Sequence, residues 1–162
     1  MSDTLADWLP VTAIEAVLAA PLGEVWVALA FFALTASVFA SGIPGTLLPI
    51  SFSSGLVLGG VLGMAAVAGG AVFGGMVLYF ALERGSRATL ATRFGNRLDK
   101  LEALAERRGI LPVIVLRLVG VPHLAVTALC ALAAVGPRRY AAATAIGIIP
   151  AIALASTAGA AL

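Results

Sequence analysis

Charge is scarce in this chain of 162 residues. Asp, Glu, Lys and Arg make up 11% of it, where a soluble domain carries roughly a quarter. Its one cysteine, Cys130, excludes an intramolecular disulfide and a cysteine-based metal site. Lying in an apolar run, it reads as a small buried hydrophobe. No carboxylate stands between Glu24 and Glu83, and no basic residue precedes Val25, while Asp3, Asp7, Glu15 and Glu24 do. The basic leading region of a secretory signal is therefore absent, and the N-terminus is expected to be retained. There is no glycine-rich phosphate loop, nucleophile elbow or paired carboxylate, and no His, Cys, Asp and Glu cluster at ligand spacing. Neither enzymatic chemistry, a metal, a cofactor nor a nucleic-acid partner is expected.

What fills the chain instead is apolar. Hydrophobic residues amount to 61% and the mean hydropathy is +1.08. Val25 to Leu82 contains no Asp, Glu, Lys or Arg, and neither does Tyr140 to Leu162. A bilayer span needs about 20 such residues, so the first run holds more than two helices' worth. The composition is that of an all-α integral membrane protein.

Two apolar stretches are broken by glycine and proline: Gly42-Ile43-Pro44-Gly45-Thr46-Leu47-Leu48-Pro49, and Leu111-Pro112 through Gly120-Val121-Pro122-His123. Lipid supplies no water to satisfy backbone groups that such breaks release, so they belong in protein or beside a wet cavity. The second stretch carries Arg117. Basic residues mark the side: Arg84, Arg87, Arg93, Arg97, Lys100, Arg107 and Arg108 against Glu83, Asp99, Glu102 and Glu106, then Arg138 and Arg139. The positive-inside rule places 84–108 and 137–139 in the cytoplasm.

These constraints give a topology. Residues 10–20 read as a short interfacial helix from Pro10, with Val11, Ile14 and Leu18 on one face and Trp8 before it, within an N-terminal segment 1–24. The membrane domain is 25–162. A span over 25–41 precedes a hairpin over 42–62 with breaks at Pro44, Gly45 and Pro49, and 63–83 returns to the cytoplasm. Segment 84–109 is amphipathic, with Leu90, Phe94, Leu98, Leu101 and Ala105 on one face, a split at Gly95-Asn96 and a cap at Gly109. Residues 110–135, broken at Pro112, Gly120 and Pro122, start and finish beside cytoplasmic charge, hence a second hairpin. The last span is 140–162. Two re-entrant hairpins entering from opposite faces, each followed by a span, are the pattern of an inverted repeat with a midplane site.

Small residues recur at helical spacing. Gly55, Gly59 and Gly63, Gly70 and Gly74, and Ala143, Gly147, Ala151, Ala155 and Gly159 read as helix-packing stripes. They leave surface for a homo-oligomer or for a partner in a larger membrane complex.

The run Ile43-Pro44-Gly45-Thr46 leading to Gly55 and Gly59, then Gly74, Tyr79 and Arg84, Arg93-Phe94-Gly95, Arg108-Gly109, Arg117-Leu118, Pro122 and Tyr140 resembles the DedA family, the wider SNARE-associated Golgi or VTT group of membrane proteins. The likeness covers about residues 39–160. It implies two facing re-entrant hairpins and movement of lipids, either phospholipids or a polyprenyl-phosphate carrier, across the bacterial inner membrane. Proton-linked members carry acidic residues near the first hairpin and two arginines six apart in the second. Here Thr46 follows Pro44-Gly45, Arg117 matches the first arginine and His123 stands at the second. A gradient-independent scramblase, or a copy whose transport has decayed, fits these residues better than a carboxylate-driven antiporter.

Arg117, His123 and Thr46 are the candidate substrate contacts. A buried arginine costs roughly 2.5–3.5 kcal/mol on insertion scales, which phosphate binding in a fork geometry offsets. So would capping of carbonyls freed near Pro122 or Pro49. His123 has two readings as well, as a bond to a backbone carbonyl or as the one titratable group of the second hairpin. Thr46, Ser51, Ser53 and Ser54 either line a polar path or bond locally to the backbone. The competing function is a structural or assembly subunit without transport activity.

Overall fold

A computed structural model describes residues 22–133 and 135–161, with backbone alone for 86–108. Every described element is helical: α1 (Gly23–Ser41), α2 (Leu47–Leu58), α3 (Gly60–Arg108), α4 (Leu111–Leu118), α5 (His123–Leu132) and α6 (Pro137–Ala160). Among the described residues, three stretches are long and apolar enough to cross a membrane: Gly23–Ser41, Gly60–Gly85 and Pro137–Ala160. The helix expected from Pro10 lies outside the described residues, as do the side chains that would form the amphipathic face of 86–108.

Glycine and proline set most boundaries. Gly42 ends α1 at φ 72, its N–H reaching back to the Phe39 carbonyl while Ile43 N–H reaches that of Val38; the left-handed conformation suits glycine and satisfies the last turn. Gly109 closes α3 at φ 61, as expected. Pro49 and Pro112 break nothing. Pro49 falls in the first turn of α2 and Pro112 at the second position of α4, where a helix leaves its N–H groups unbonded anyway. The true interruptions are 42–46 and 119–122. Pro150 lies inside α6 on its exposed side and α6 continues through it.

Three more boundaries differ from the sequence expectation. Segment 42–62 holds α2 and the start of α3, not a self-contained hairpin, and α3 folds back on α2 with Gly63 against Ser54. Gly59, at φ 78, turns α2 straight into α3, so the third helix starts at Gly60 and not at 63. It then runs unbroken through Gly95-Asn96 to Arg108, because an interior glycine costs only about 1 kcal/mol against alanine.

Packing is backbone to backbone. A Cβ on Gly70 would meet the Phe32 carbonyl, and one on Gly74 that of Ala36, so α1 and α3 run in the same sense. Gly63 abuts Ser54, Gly55 abuts the Ser156 carbonyl and Gly159 that of Phe52. Gly59 is the exception among the glycines read as packing residues, since nothing lies within 4 Å of a Cβ there. Tyr79 stacks on Tyr140, and Gly60 faces Thr157, which sets α6 antiparallel to α3. Arg117 rests on Gly147 and His123 on Gly75, each glycine near the middle of its candidate span. Val113 joins the buried cluster of Tyr79, Tyr140 and Ala143. Thus α4 approaches from the Gly85 end of α3, turns at 119–122, and α5 goes back.

Ser51 donates to the Leu47 carbonyl, Ser54 to that of Ser51, and Ser53 is exposed. These serines bond locally, the commoner use in apolar helices. Ser156 adds a bond across helices, to the Ser51 carbonyl at 3.0 Å.

Candidate functional site

The turn after α4 satisfies its own backbone. Val119 N–H reaches Val115, Gly120 reaches Arg117 and Val121 reaches Leu116, with Gly120 at φ 85. The arginine is therefore free of the capping duty weighed above. Its bonded partners are all side chains: NH1 meets His123 Nδ1, and NH2 donates to Tyr140 Oη at 3.1 Å, Thr144 Oγ1 at 3.3 Å and Thr127 Oγ1 at 3.4 Å.

The proton positions follow from chemistry. A guanidinium only donates, so His123 Nδ1 accepts, and the imidazole is neutral with its hydrogen on Nε2. Thr127 gives its hydroxyl hydrogen to the His123 carbonyl at 2.9 Å. It consequently accepts from Tyr140, 2.8 Å away. A directional chain results, from Arg117 to Tyr140 to Thr127 to the His123 backbone. Tyr79 supports it, its ring 4.9 Å from that of Tyr140 and its hydroxyl donating to the Val135 carbonyl. Phe39 closes the other side, 4.4 Å ring to ring from His123. Glycine makes the room: a Cβ on Gly147 would lie 2.6 Å from Arg117 Cβ, and one on Gly75 3.0 Å from Tyr140 Oη.

Three buried polar atoms have no hydrogen-bond partner among the described residues: Arg117 Nε, His123 Nε2 and Thr46 Oγ1. The Phe39 backbone approaches the imidazole as a hydrogen-bond partner, outside the geometry of a full bond to Nε2, and Nε2 lies toward Gly75 of α3. All three residues line one cavity of about 320 Å³, enclosed by the 43–48 and 117–123 segments and by Ile148 and Ala151 of α6. The volume is at the low end of the roughly 300–1,000 Å³ of ligand pockets. Arg117 is the only charged residue in its wall among the described residues. Arg117 Nε–H and His123 Nε2–H are thus buried donors in a wall whose other residues are mostly apolar.

The three candidate contacts, Thr46, Arg117 and His123, thus line one cavity, although 71 positions separate Thr46 from Arg117. Thr127, Thr144 and Gly75 escaped notice. A signal existed for the threonines: each hydroxyl stands four residues after a polar residue of the site, Thr127 after His123 and Thr144 after Tyr140, hence on the same helix face.

Hydroxyl loss at the centre of this chain has a defined effect. Tyr140→Phe leaves Arg117 NH2 short of its closest acceptor and is expected to cost about 1–3 kcal/mol, read as a lowered thermal unfolding midpoint in detergent. Val25→Phe on the exposed side of α1 is the control expected to stay within about 0.5 kcal/mol.

Spans of this length, apolar outward faces and a buried arginine held in a polar network define a helical membrane protein with a cavity beside that arginine. The family model of the VTT domain matches residues 43–161. The chain belongs to that family, the DedA or SNARE-associated Golgi protein family. No curated protein and no solved structure matches it.

Proposed function

We propose that the protein moves lipids across the membrane, the phosphate of the headgroup passing through the cavity between two re-entrant hairpins. In this reading α1 with α2 forms one hairpin and α4 with α5 the other, entering from opposite faces with their tips meeting at mid-depth. The observation that carries the reading is the convergence of Thr46, Arg117 and His123, each with one buried polar atom outside any hydrogen bond, on the lining of one cavity. Its rim supports a lipid over a free ion: Ile43, Leu48 and Leu118 are each more than half exposed beside the polar floor, placed to meet acyl chains. Arg84, Arg138 and Arg139 lie toward the Gly85 end of the bundle, which the positive-inside rule assigns to the cytoplasm.

Reconstitution in liposomes with a fluorescent phospholipid, followed by quenching from outside, reads the activity directly. Wild type is expected to expose inner-leaflet label, and Arg117→Ala to slow that exposure at least about tenfold, the loss of a charged hydrogen-bond partner being worth about 1.5–3 kcal/mol. Equal rates in the two preparations would remove the arginine from the mechanism.

A further inference from the structure

We infer that the cavity selects a phosphate bearing a single negative charge, a phosphodiester headgroup, over the doubly charged phosphate of a phosphomonoester lipid. The inference rests on the lipid-phosphate reading above and follows from counting charge at the site. Arg117 supplies one positive charge. His123 supplies none, because its Nδ1 accepts from the guanidinium and so carries no proton. The other titratable groups around the pair are Tyr79 on α3, Cys130 on α5 and Tyr140 on α6, all uncharged in their ordinary state at neutral pH. From α1 the neighbour is Phe39, which has no titratable group. Among the described residues, no carboxylate and no second cation lines the cavity.

A diester in this place makes a neutral pair with Arg117. It accepts from Arg117 and from the Thr46 hydroxyl without any change of protonation. A dianionic monoester leaves one buried negative charge uncompensated, which a low-dielectric site strongly disfavours. It enters as a neutral complex only by taking up one proton, on the phosphate itself or on His123 at the expense of the Arg117 contact. Whichever group holds that proton, the linkage is the same. Above the second ionisation of the phosphate, at about pH 6 for phosphorylated side chains, monoester affinity falls about tenfold per pH unit, while diester affinity stays level.

Dihexanoyl phosphatidic acid and dihexanoyl phosphatidylmethanol form a minimal pair, identical but for the methyl ester that removes one charge. Calorimetric titration of the full-length protein in detergent at low and high pH measures both. At pH 8 the methyl ester is expected to bind at least about tenfold tighter, with the gap closing toward pH 5.5. In two buffers of different ionisation enthalpy the acid takes up about one proton at pH 8 and the methyl ester none. His123→Arg, which adds the missing cation, is expected to narrow the gap at pH 8. Equal affinities of the two lipids for wild type at pH 8, both lost in Arg117→Ala, would overturn the selectivity and leave the lipid-phosphate reading standing. Affinities unchanged in Arg117→Ala would overturn both. Dimethyl phosphate has the same single charge without acyl chains, and is expected to bind more weakly than phosphatidylmethanol; equal binding would make the ligand a free phosphodiester and sink the lipid assignment.

Discussion

Arg117→Lys is expected to lose lipid movement nearly as completely as Arg117→Ala, by at least about tenfold, although the charge is retained. The guanidinium divides its work among three nitrogens. NH1 holds His123, NH2 holds Tyr140, Thr144 and Thr127, and Nε remains for the cavity. An ammonium concentrates three donors on one atom and has no rigid fork. Placed among the hydroxyls it abandons the cavity; placed at the cavity it leaves Tyr140 and Thr127 short of their charged donor. Charge-assisted bonds of this kind are worth about 1.5–3 kcal/mol each, so losing one on either side suffices for the stated fold-change. The same liposome assay tests it, with a thermal unfolding curve of each preparation to show that the variant is folded. Wild-type transport by a folded Lys variant would mean that charge alone, without geometry, does the work.

The dependence on geometry explains which parts of the molecule were legible in the sequence. Interruptions at 42–46 and 119–122 were readable because Gly42, Gly45 and Gly120 all adopt positive φ, a conformation that glycine takes at no steric cost. Pro49 and Pro112 misled for a definite reason. Proline is a breaker only where its missing N–H was needed, and the first turn of a helix does not need it. Register misled as well: Gly55, Gly59 and Gly63 are evenly spaced, but a stripe exists only if the helix continues, and Gly59 turns the chain between α2 and α3.

Arg117, His123 and Thr46 were legible one by one, as an intramembrane cation, a lone imidazole and a hydroxyl in a break. Their meeting was not, because it depends on how α4 and α1 sit against α3 and α6. That placement comes from glycine contacts at Gly70, Gly74, Gly75 and Gly147, and one glycine in an apolar run looks much like another. The capping role weighed for the arginine fell for a structural reason too. Backbone N–H groups of 119–121 take the last carbonyls of α4, and the guanidinium bonds to side chains.

The largest loss of stability is expected at the α2–α6 crossing, from the smallest substitution. A Cβ added by Gly55→Ala would fall on the Ser156 carbonyl, below any distance real Cβ atoms adopt, with the rest of the Ser156 backbone under 3.0 Å away. The obstacle is backbone on a helix that also carries Gly159 against Phe52 and the Ser156 bond to Ser51, so no flexible side chain can give way. Overpacking costs typically about 1–3 kcal/mol when side chains can shift, and here the helices must separate. In lipid no hydrophobic drive pulls them back, since close backbone packing is itself the attraction. Gly55→Ala is therefore expected to exceed about 3 kcal/mol and to lower the thermal midpoint sharply in detergent. Two matched substitutions isolate the cause. Gly59→Ala has open space but φ 78 and is expected to cost about 1–3 kcal/mol from conformation alone. Gly85→Ala has open space at an ordinary helical position, where alanine's better propensity predicts stabilisation of up to about 1 kcal/mol. A midpoint for Gly55→Ala no lower than that of Gly59→Ala would show that α2 and α6 are not held in contact at Ser156, and with that the wall that Ile148 and Ala151 provide to the cavity would lose its anchor.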